Sequence, residues 1–257
     1  MLNEIQQASR DQFEKQSGNY GKSHILAETS DIEAVLSGCA LPAGGRALDV
    51  ATGGGHTAVY LAGRGMSVVA ADISPAMLAH AGRLAEESGL RIETRLHEAE
   101  RLPYADAEFD LVSCRVAAHH FSNPRSFVGE AARVLKPGGW FLLIDGSVPD
   151  GEPEAEAWIH QVEKLRDPSH GRFLSPSAWQ ELCVSAGLTP ERCETTPFKQ
   201  PDLEWYFQTA GTSDAHRAEV RRLVREAPGA ARRVFGIAEE DGKTVWWWPR
   251  LSLLARK

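Results

Sequence analysis

The stretch Asp49–Ala58, DVATGGGHTA, sets three consecutive glycines just ahead of a segment that can open a helix. Glycine lets a backbone turn sharply and approach a ligand closely, because no Cβ stands in the way. A helix starting at about His56 would present unpaired N–H groups and a partial positive charge. Such a loop favours an anionic group, phosphate or carboxylate. Asp72 follows the apolar run SVVAA. A carboxylate in that place can accept both hydroxyls of a ribose, or it can serve only as a capping or loop aspartate. The glycine loop and the acid together point to a nucleoside ligand.

Two nucleoside cofactors compete for this constellation. Gly53, Gly55 and Ala58 fit the looser dinucleotide spacing GxGxxA. Asp49 separates the two. It stands four residues before Gly53, at the exit of an apolar run, and is expected to face the cavity. A carboxylate there would repel a pyrophosphate and would suit an ammonium group or a water shell. S-adenosylmethionine (SAM) carries such an ammonium group and NAD does not. SAM is the favoured ligand, with an NAD-dependent oxidoreductase as the alternative from another class.

These residues need a frame. RALDV (46–50) is a short apolar run that reads as a buried strand of a parallel sheet, and SVVAA (67–71) as a second buried strand; residues 91–96, FDLVSC (109–114) and WFLLID (140–145) read as the next three strands. Helical patterns lie between them. One opens at about His56. One opens at Pro75 behind Ser74 as N-cap, and one opens at Pro124 and stops at KPGG (136–139). The alternation predicts an α/β fold with a doubly wound, mostly parallel seven-stranded sheet, in which ligands bind outside the carboxyl ends of the strands. Further on, helices are expected over 150–187 around a loop at RDPSHGR (166–172), a strand over 188–197, helices over 202–239, and a last strand over 244–257. That order suggests a late pair of strands with an inserted helical lid. Before the core, residues 1–18 read as a surface helix, 19–30 as a loop, and Asp31 as the cap of a helix ending near Leu36. Three regions follow: 1–40, with N-terminal helices and a covering loop; 41–150, the α/β core; and 151–257, the lid or acceptor region with the last strands.

Four segments in this order resemble the class I SAM-dependent methyltransferases: D-x-A-x-G-x-G (49–55), Asp72-Ile73-Ser74, HEAERLPYADAEFDLVSCR (97–115) and ARVLKPGGWFLLID (132–145). The likeness is to the ubiquinone/menaquinone-biosynthesis C-methyltransferase type, and closer still to small bacterial relatives with undefined acceptors. It implies SAM as methyl donor and S-adenosylhomocysteine (SAH) as product. It implies that Asp49 and the loop from Thr52 through Gly53 to Gly55 hold the methionine end. Asp72 would bind the ribose, Ile73 and Met77 would line the adenine, and Glu98 with Ala99 would meet the adenine amino edge. Arg115 would border the sulfonium through its backbone, and the segment with Tyr20 and His24 would cover the cofactor. Ala51 stands where the family often has glycine, and Glu98 where aspartate is usual.

An acceptor that must lose a proton needs a base. His119 and His120, just past the fourth strand, are the first candidates. His170 in RDPSH is a further one. Packing against the cofactor, capping, or a place on a surface loop are the plainer readings of these histidines. His56, His80, His97, His160 and His216 receive no role. Among the lid aromatics, Trp247 should oppose Trp246 and Trp248, because side chains alternate along a strand. Sheet-to-helix packing is their plainer role. Trp205, Tyr206 and Phe207 could with them line an apolar acceptor pocket. Trp158 and Trp179 are expected to pack lid helices.

The remaining features exclude more than they assign. A net charge of −7 without a basic stripe argues against nucleic acid. The arginines at 217, 221, 222 and 225 read as a solvated helix face. Cys39, Cys114, Cys183 and Cys193 suit neither a zinc site nor a disulfide framework and fit a reducing, cytoplasmic compartment. No metal site and no membrane span are expected. The sequence thus reads as a methyltransferase for a small-molecule acceptor, monomer or homodimer, with aromatic or quinone-like C-methylation as the first possibility. O- or N-methylation of another metabolite and non-catalytic SAM binding are the alternatives.

Overall fold

The computed structural model describes residues 2–20 and 27–257, the side chains of residues 19 and 20 excepted. The expected strands form: β1 (Arg46–Val50), β2 (Ser67–Asp72), β3 (Glu93–Leu96), β4 (Phe109–Arg115), β5 (Leu135–Gly146), β6 (Thr189–Lys199) and β9 (Trp247–Arg256). They make one sheet of order β3-β2-β1-β4-β5-β9-β6, in which β1 to β5 are parallel and β9 runs antiparallel between β5 and β6. The chain winds outward from β1 to β3, then returns to β4 on the other side of β1. That reversal opens a crevice above the carboxyl ends of β1 and β4.

Around the sheet stand α1 (Glu4–Tyr20), α2 (Ser30–Leu36), α3 (His56–Gly63), α4 (Pro75–Glu87) and α5 (Pro124–Val134). After β5 come α6 (Pro153–Arg166) and α7 (Pro176–Ser185), then α8 (Leu203–Ala210), α9 (Asp214–Arg225) and α10 (Gly229–Phe235). Ser74 caps α4 by accepting from the Met77 N–H at 3.2 Å, as the Ser-Pro pair predicts. The sheet has a core on each face. One includes Phe109, Phe127 and Leu143, the other Leu61, Leu111 and Ile144. A separate core, with Trp158, Tyr206, Phe207 and Trp246, ties α6 to α8, α9 and α10 and forms the lid.

Several expectations need correction. Trp179 does not pack the lid: with Cys183 it belongs to the sheet core beside Val128 and Leu253, so α7 is a layer of the sheet. Residues 238–240 are not helical. They pair as β7 (Ala238–Glu240) with β8 (Lys243–Val245) in a hairpin around Asp241–Gly242, and the last long strand begins at Trp247 rather than Thr244. Helix α1 is not a mere surface helix, because Gln6, Ser9 and Phe13 on it face the crevice. Asp31 is not the cap of α2, a place taken by Thr29. Its Oδ2 instead accepts from Arg115 Nε at 3.0 Å and Arg250 Nη1 at 3.1 Å, which joins α2 to β4 and β9.

The glycine loop is fixed by close packing at one point. Gly55 precedes α3 with φ of 90°, and a Cβ there would lie 2.7 Å from both Cα and Cβ of Ala81 on α4. Gly55→Ala combines a disfavoured backbone with a clash against a helix, and should lower unfolding stability by about 2–4 kcal/mol. Urea unfolding followed by circular dichroism checks this; a loss within a few tenths of a kcal/mol would contradict it.

Candidate active site

The crevice above β1, β2 and β4 is a cleft holding about 1450 Å³ of space, its open mouth included. Strand ends supply its floor, α1 one wall, and α8 with the β6–β9 pair the far wall. Thr52, Gly53, Asp72, Ile73, Met77, Glu98, Ala99 and Arg115 all face it. Asp49 and Gly55 do not. The Asp49 carboxylate points back into the protein, where it accepts from Thr52 Oγ1 at 2.6 Å and from Ser113 Oγ at 2.8 Å. Rather than facing the cavity as expected, the carboxylate supports the loop from behind. Burial pushes its carboxyl up to about 6, against the pull of those two hydroxyls.

The loop above Asp49 is strained. Ala51 holds φ of 54°, a left-handed conformation that costs a residue with a Cβ about 1 kcal/mol. This is the physical reason glycine suits that position. The Thr52 N–H donating to Ala71 O at 2.9 Å closes the turn onto β2. Val116, directly after Arg115, is a second outlier at φ of 55° and also faces the cleft.

Asp72 is the acid at the cleft wall. Its oxygens accept from Gly53 N–H and Ser74 N–H, both at 2.9 Å, and each retains a lone pair. Burial raises its carboxyl to about 6, against those backbone bonds. Glu98 accepts from Gln6 Nε2 at 3.0 Å and from the Glu100 N–H at 2.8 Å, so α1 is fastened to that wall. The Arg115 side chain is committed to Asp31. Tyr20 ends α1 with its side chain outside the described residues, and His24 lies outside them altogether.

Across the floor, the chain after β4 makes a 3-10 turn (Ala118–His120) that sets His119 and His120 at the cleft. Asp145, at the end of β5, grips this turn twice. Its Oδ2 accepts from the His119 N–H at 2.8 Å and its Oδ1 from His119 Nδ1 at 2.6 Å. The loop after α6 closes on the same residue, with Gly171 N–H and Arg172 N–H donating to His119 O at 2.8 and 3.0 Å. A Cβ on Gly171 would sit 2.7 Å from that oxygen, so only glycine admits the approach. Nδ1 is thereby engaged, and His119 Nε2 is the nitrogen without a partner among the described residues. Burial disfavours its charged form, but the Asp145 carboxylate outweighs this and holds the His119 pKa above the ordinary value.

His120 and His170 differ from it. Burial first, then the neighbouring His119, pushes His120 down; its Nδ1 lies 3.1 Å from both the carbonyl oxygen and Oγ of Ser169. His170 does not reach the cleft. It is buried behind His119, ring centroids 5.6 Å apart, and burial together with its histidine neighbours keeps it neutral. Among the described residues no group of histidines, cysteines and acids is arranged to hold a metal.

Comparison with known proteins agrees with this geometry. Residues 48–143 match the model of the methyltransferase domain family. Over 235 residues the chain is 36% identical to the uncharacterised methyltransferase YcgJ of Bacillus subtilis (strain 168), covering 91% of this chain and 92% of that protein. The chain belongs to the class I SAM-dependent methyltransferases. A solved structure of a candidate methyltransferase from Bacillus halodurans C-125 superposes with a TM-score of 0.82 at 34% identity, covering 89% of this chain and 99% of that one. The demethylmenaquinone methyltransferase of Clavibacter sepedonicus is 34% identical over 186 residues, 70% of this chain and 75% of that protein.

In this methyltransferase the sequence reading missed several cleft residues. Asp145, which lies behind His119 rather than at the cleft, was legible in principle, since it stands at or beside the last position of a strand as Asp49 and Asp72 do. His56 and His97, given no role, also face the cleft. Phe13, Arg166, Phe198, Gln200 and Arg250 come from elements far apart in sequence, and no local motif marks them. Of the tryptophans, Trp205 and Trp248 reach the cleft. Trp246 and Trp248 both pack on Tyr206, while Trp247 meets Lys199 and Gly236, which is the predicted alternation. Among the described residues no helix is long and apolar enough to cross a membrane.

Because Asp145 is what raises His119 against its burial, Asp145→Asn should reverse the direction. We expect the His119 pKa above 6.5 in the wild type and below 6.5 in the variant. NMR titration of the ring Cε1–H reads both values, and a titration unmoved by the substitution would contradict the pairing.

Proposed function

We propose that this methyltransferase passes the methyl group of SAM to a small hydroxylated aromatic acceptor of the quinol kind, with a ring carbon as the first candidate for the methylated atom. His119 serves as the base and Asp145 positions it. The observation carrying this reading is the buried His119–Asp145 pair, with His119 at the wall of a cleft whose far side is aromatic. The likeness to a demethylmenaquinone methyltransferase supports an acceptor of this class.

The cleft suits SAM on three counts. Gly53 leaves open space where a Cβ would stand. The start of α3 directs N–H groups toward an anionic end. Asp72 presents a buried carboxylate whose hydrogen-bond partners are neutral amides, ready for a diol. When bound, SAM supplies an activated methyl group on a sulfonium sulfur. The loop Thr52–Gly55 would hold its methionine end, Asp72 the ribose, Ile73 and Met77 the adenine ring, and Glu98 with Ala99 the amino edge. Arg115 would lie beside the sulfonium, and the segment of Tyr20 and His24 would cover the site. Asp49 acts by holding Thr52 in place.

On the acceptor side, His119 Nε2 takes the proton of the ring hydroxyl while Nδ1–H remains bonded to Asp145. The carboxylate stabilises the imidazolium that results. Loss of that proton raises electron density on the oxygen and on the ring carbons conjugated with it. The lid and α1 keep water from the cleft and hold the ring against the floor. Alignment of this kind accounts for up to ~7–11 kcal/mol of barrier reduction.

A panel of quinols, phenols and amines, with products identified by NMR, tests the acceptor class. Methylation of amines alone would overturn the reading, and O-methylated products would move the methyl from carbon to oxygen. His119→Gln should lower kcat by roughly 10²–10⁴-fold with SAH affinity unchanged. Since the base works deprotonated, wild-type kcat/KM should fall as pH drops, on a limb set above 6.5 by Asp145. Asp72→Ala should weaken SAH binding by about 1–3 kcal/mol in calorimetric titration. In the wild type SAH affinity should decline as pH falls through about 6, where Asp72 is protonated, and Asp72→Ala should flatten that dependence.

A further inference from the structure

The far wall of the cleft holds a complementary pair of unsatisfied polar atoms. Phe198 lies opposite Trp248 in the β6–β9 register. Gln200 follows two residues beyond Phe198 and extends the ladder by donating its backbone N–H to Trp246 O at 2.8 Å. Side chains two apart on an extended chain point the same way, so Gln200, Phe198 and Trp248 share a face. Gln200 and Trp248 both stand at the cleft wall.

Gln200 is fully buried, yet among the described residues its Oε1 has no hydrogen-bond partner, and its Nε2 reaches Phe198 O only at 3.5 Å. Trp248 Nε1 is likewise buried and without a partner among the described residues. The polar groups beside them are engaged elsewhere. Tyr206, against which Trp248 packs, donates its hydroxyl to Glu163 at 2.5 Å, and Arg166 Nε donates to Tyr206 O at 3.1 Å. Arg250 stacks its guanidinium over the Phe198 ring, 3.4 Å from the centroid, and pairs with Asp31. Leaving a buried amide oxygen and a buried indole N–H unpaired costs stability that a ligand can recover.

One orphan is an acceptor and the other only a donor. We propose that Gln200 and Trp248 form a subsite that reads a hydroxyl on the acceptor, apart from the atom methylated. The hydroxyl oxygen accepts from Trp248 Nε1–H, and the O–H donates a hydrogen bond to Gln200 Oε1. A carbonyl or an ether can accept but cannot donate, and an ammonium can donate but cannot accept. The subsite therefore selects phenols and hydroquinones over quinones, methyl ethers and ammonium ions. It rests on the aromatic-acceptor reading above and narrows it to rings bearing a free hydroxyl at the lid end.

The test is binding, measured without turnover. 1-Naphthol and 1-methoxynaphthalene are titrated calorimetrically into the full chain saturated with SAH. Naphthol should bind at least about tenfold more tightly. Gln200→Leu should bring the ratio to within about twofold by weakening naphthol alone, whereas Gln200→Glu, which keeps an acceptor oxygen, should preserve a preference. Trp248→Phe keeps a ring, loses the donor, and should weaken naphthol severalfold. Equal binding of the two compounds by the wild type would overturn the proposal while leaving the aromatic-acceptor reading intact, as would a preference that survives both Gln200→Leu and Trp248→Phe. Failure of both naphthalenes to bind would overturn the aromatic-acceptor reading, and this subsite with it.

Discussion

Three carboxylates sit buried at the carboxyl ends of parallel strands, and the arrangement of the cleft follows from how each is satisfied. A buried acid must find donors or lose its charge. Asp49, ending β1, takes hydroxyl donors from Thr52 and Ser113 and thereby holds the glycine loop onto β4. Asp72, ending β2, takes amides from Gly53 and Ser74 and ties that loop to the start of α4. Asp145, at the end of β5, takes the backbone and the ring of His119 and so aims the imidazole. Each acid links its own strand to the segment following a neighbour or itself. The parallel sheet brings these ends to one edge, and the carboxylates turn that edge into a floor of fixed donors and acceptors.

Helix α2 is attached to the sheet by charge as well as by apolar packing. Asp31 receives Arg115 from β4 and Arg250 from β9, so one carboxylate on α2 answers two cations that face the cleft. Removing that acid would leave two largely buried guanidiniums against each other, a far larger penalty than the loss of one surface pair. Helix α1 closes from the opposite side through Gln6 on Glu98 and through Gln12 Nε2 on Ala210 O at 2.8 Å, touching both the Glu98 wall and α8. The same elements that shut the cleft thus also contribute side chains to it, which couples closure to recognition.

Much of this was legible in the sequence where the signal was local. Strand runs, Ser74-Pro75, the glycine triplet and the acids near strand ends are read from a few adjacent residues, and β1 to β4 fall close to where expected, whereas β5 begins at Leu135 and runs through the KPGG expected only to stop a helix. The direction of Asp49 was not legible, because Thr52 and Ser113 compete for it across strands, and Ser113 meets it only through the β1–β4 register. Trp179 was placed wrongly for a related reason: helical periodicity shows that a face is buried but not against what. The far wall was hidden for a third reason. Phe198, Gln200, Trp248 and Arg250 become neighbours only when β9 pairs with β6, which brings residues such as Phe198 and Trp248 together from about fifty positions apart and which no short pattern encodes.

The histidine pair shows how such long-range placement makes chemistry from residues that look equivalent in sequence. His119 and His120 are adjacent, and their ring centroids lie 4.2 Å apart in a largely dry environment. At that distance two imidazolium charges repel strongly, so the pair holds at most one proton readily. Which ring carries it depends on the acid at hand. Asp145 bonds directly to His119, whereas the Asp167 carboxylate reaches His120 only through Ser169, whose Oγ donates to Asp167 Oδ1 at 2.6 Å. The direct contact gives His119 the stronger pull, and its charge in turn depresses His120. One ring keeps a carboxylate partner and a raised pKa while the other is pushed toward its neutral form, and the division is made by β5 and the loop after α6 rather than by anything in the sequence AAHHF itself.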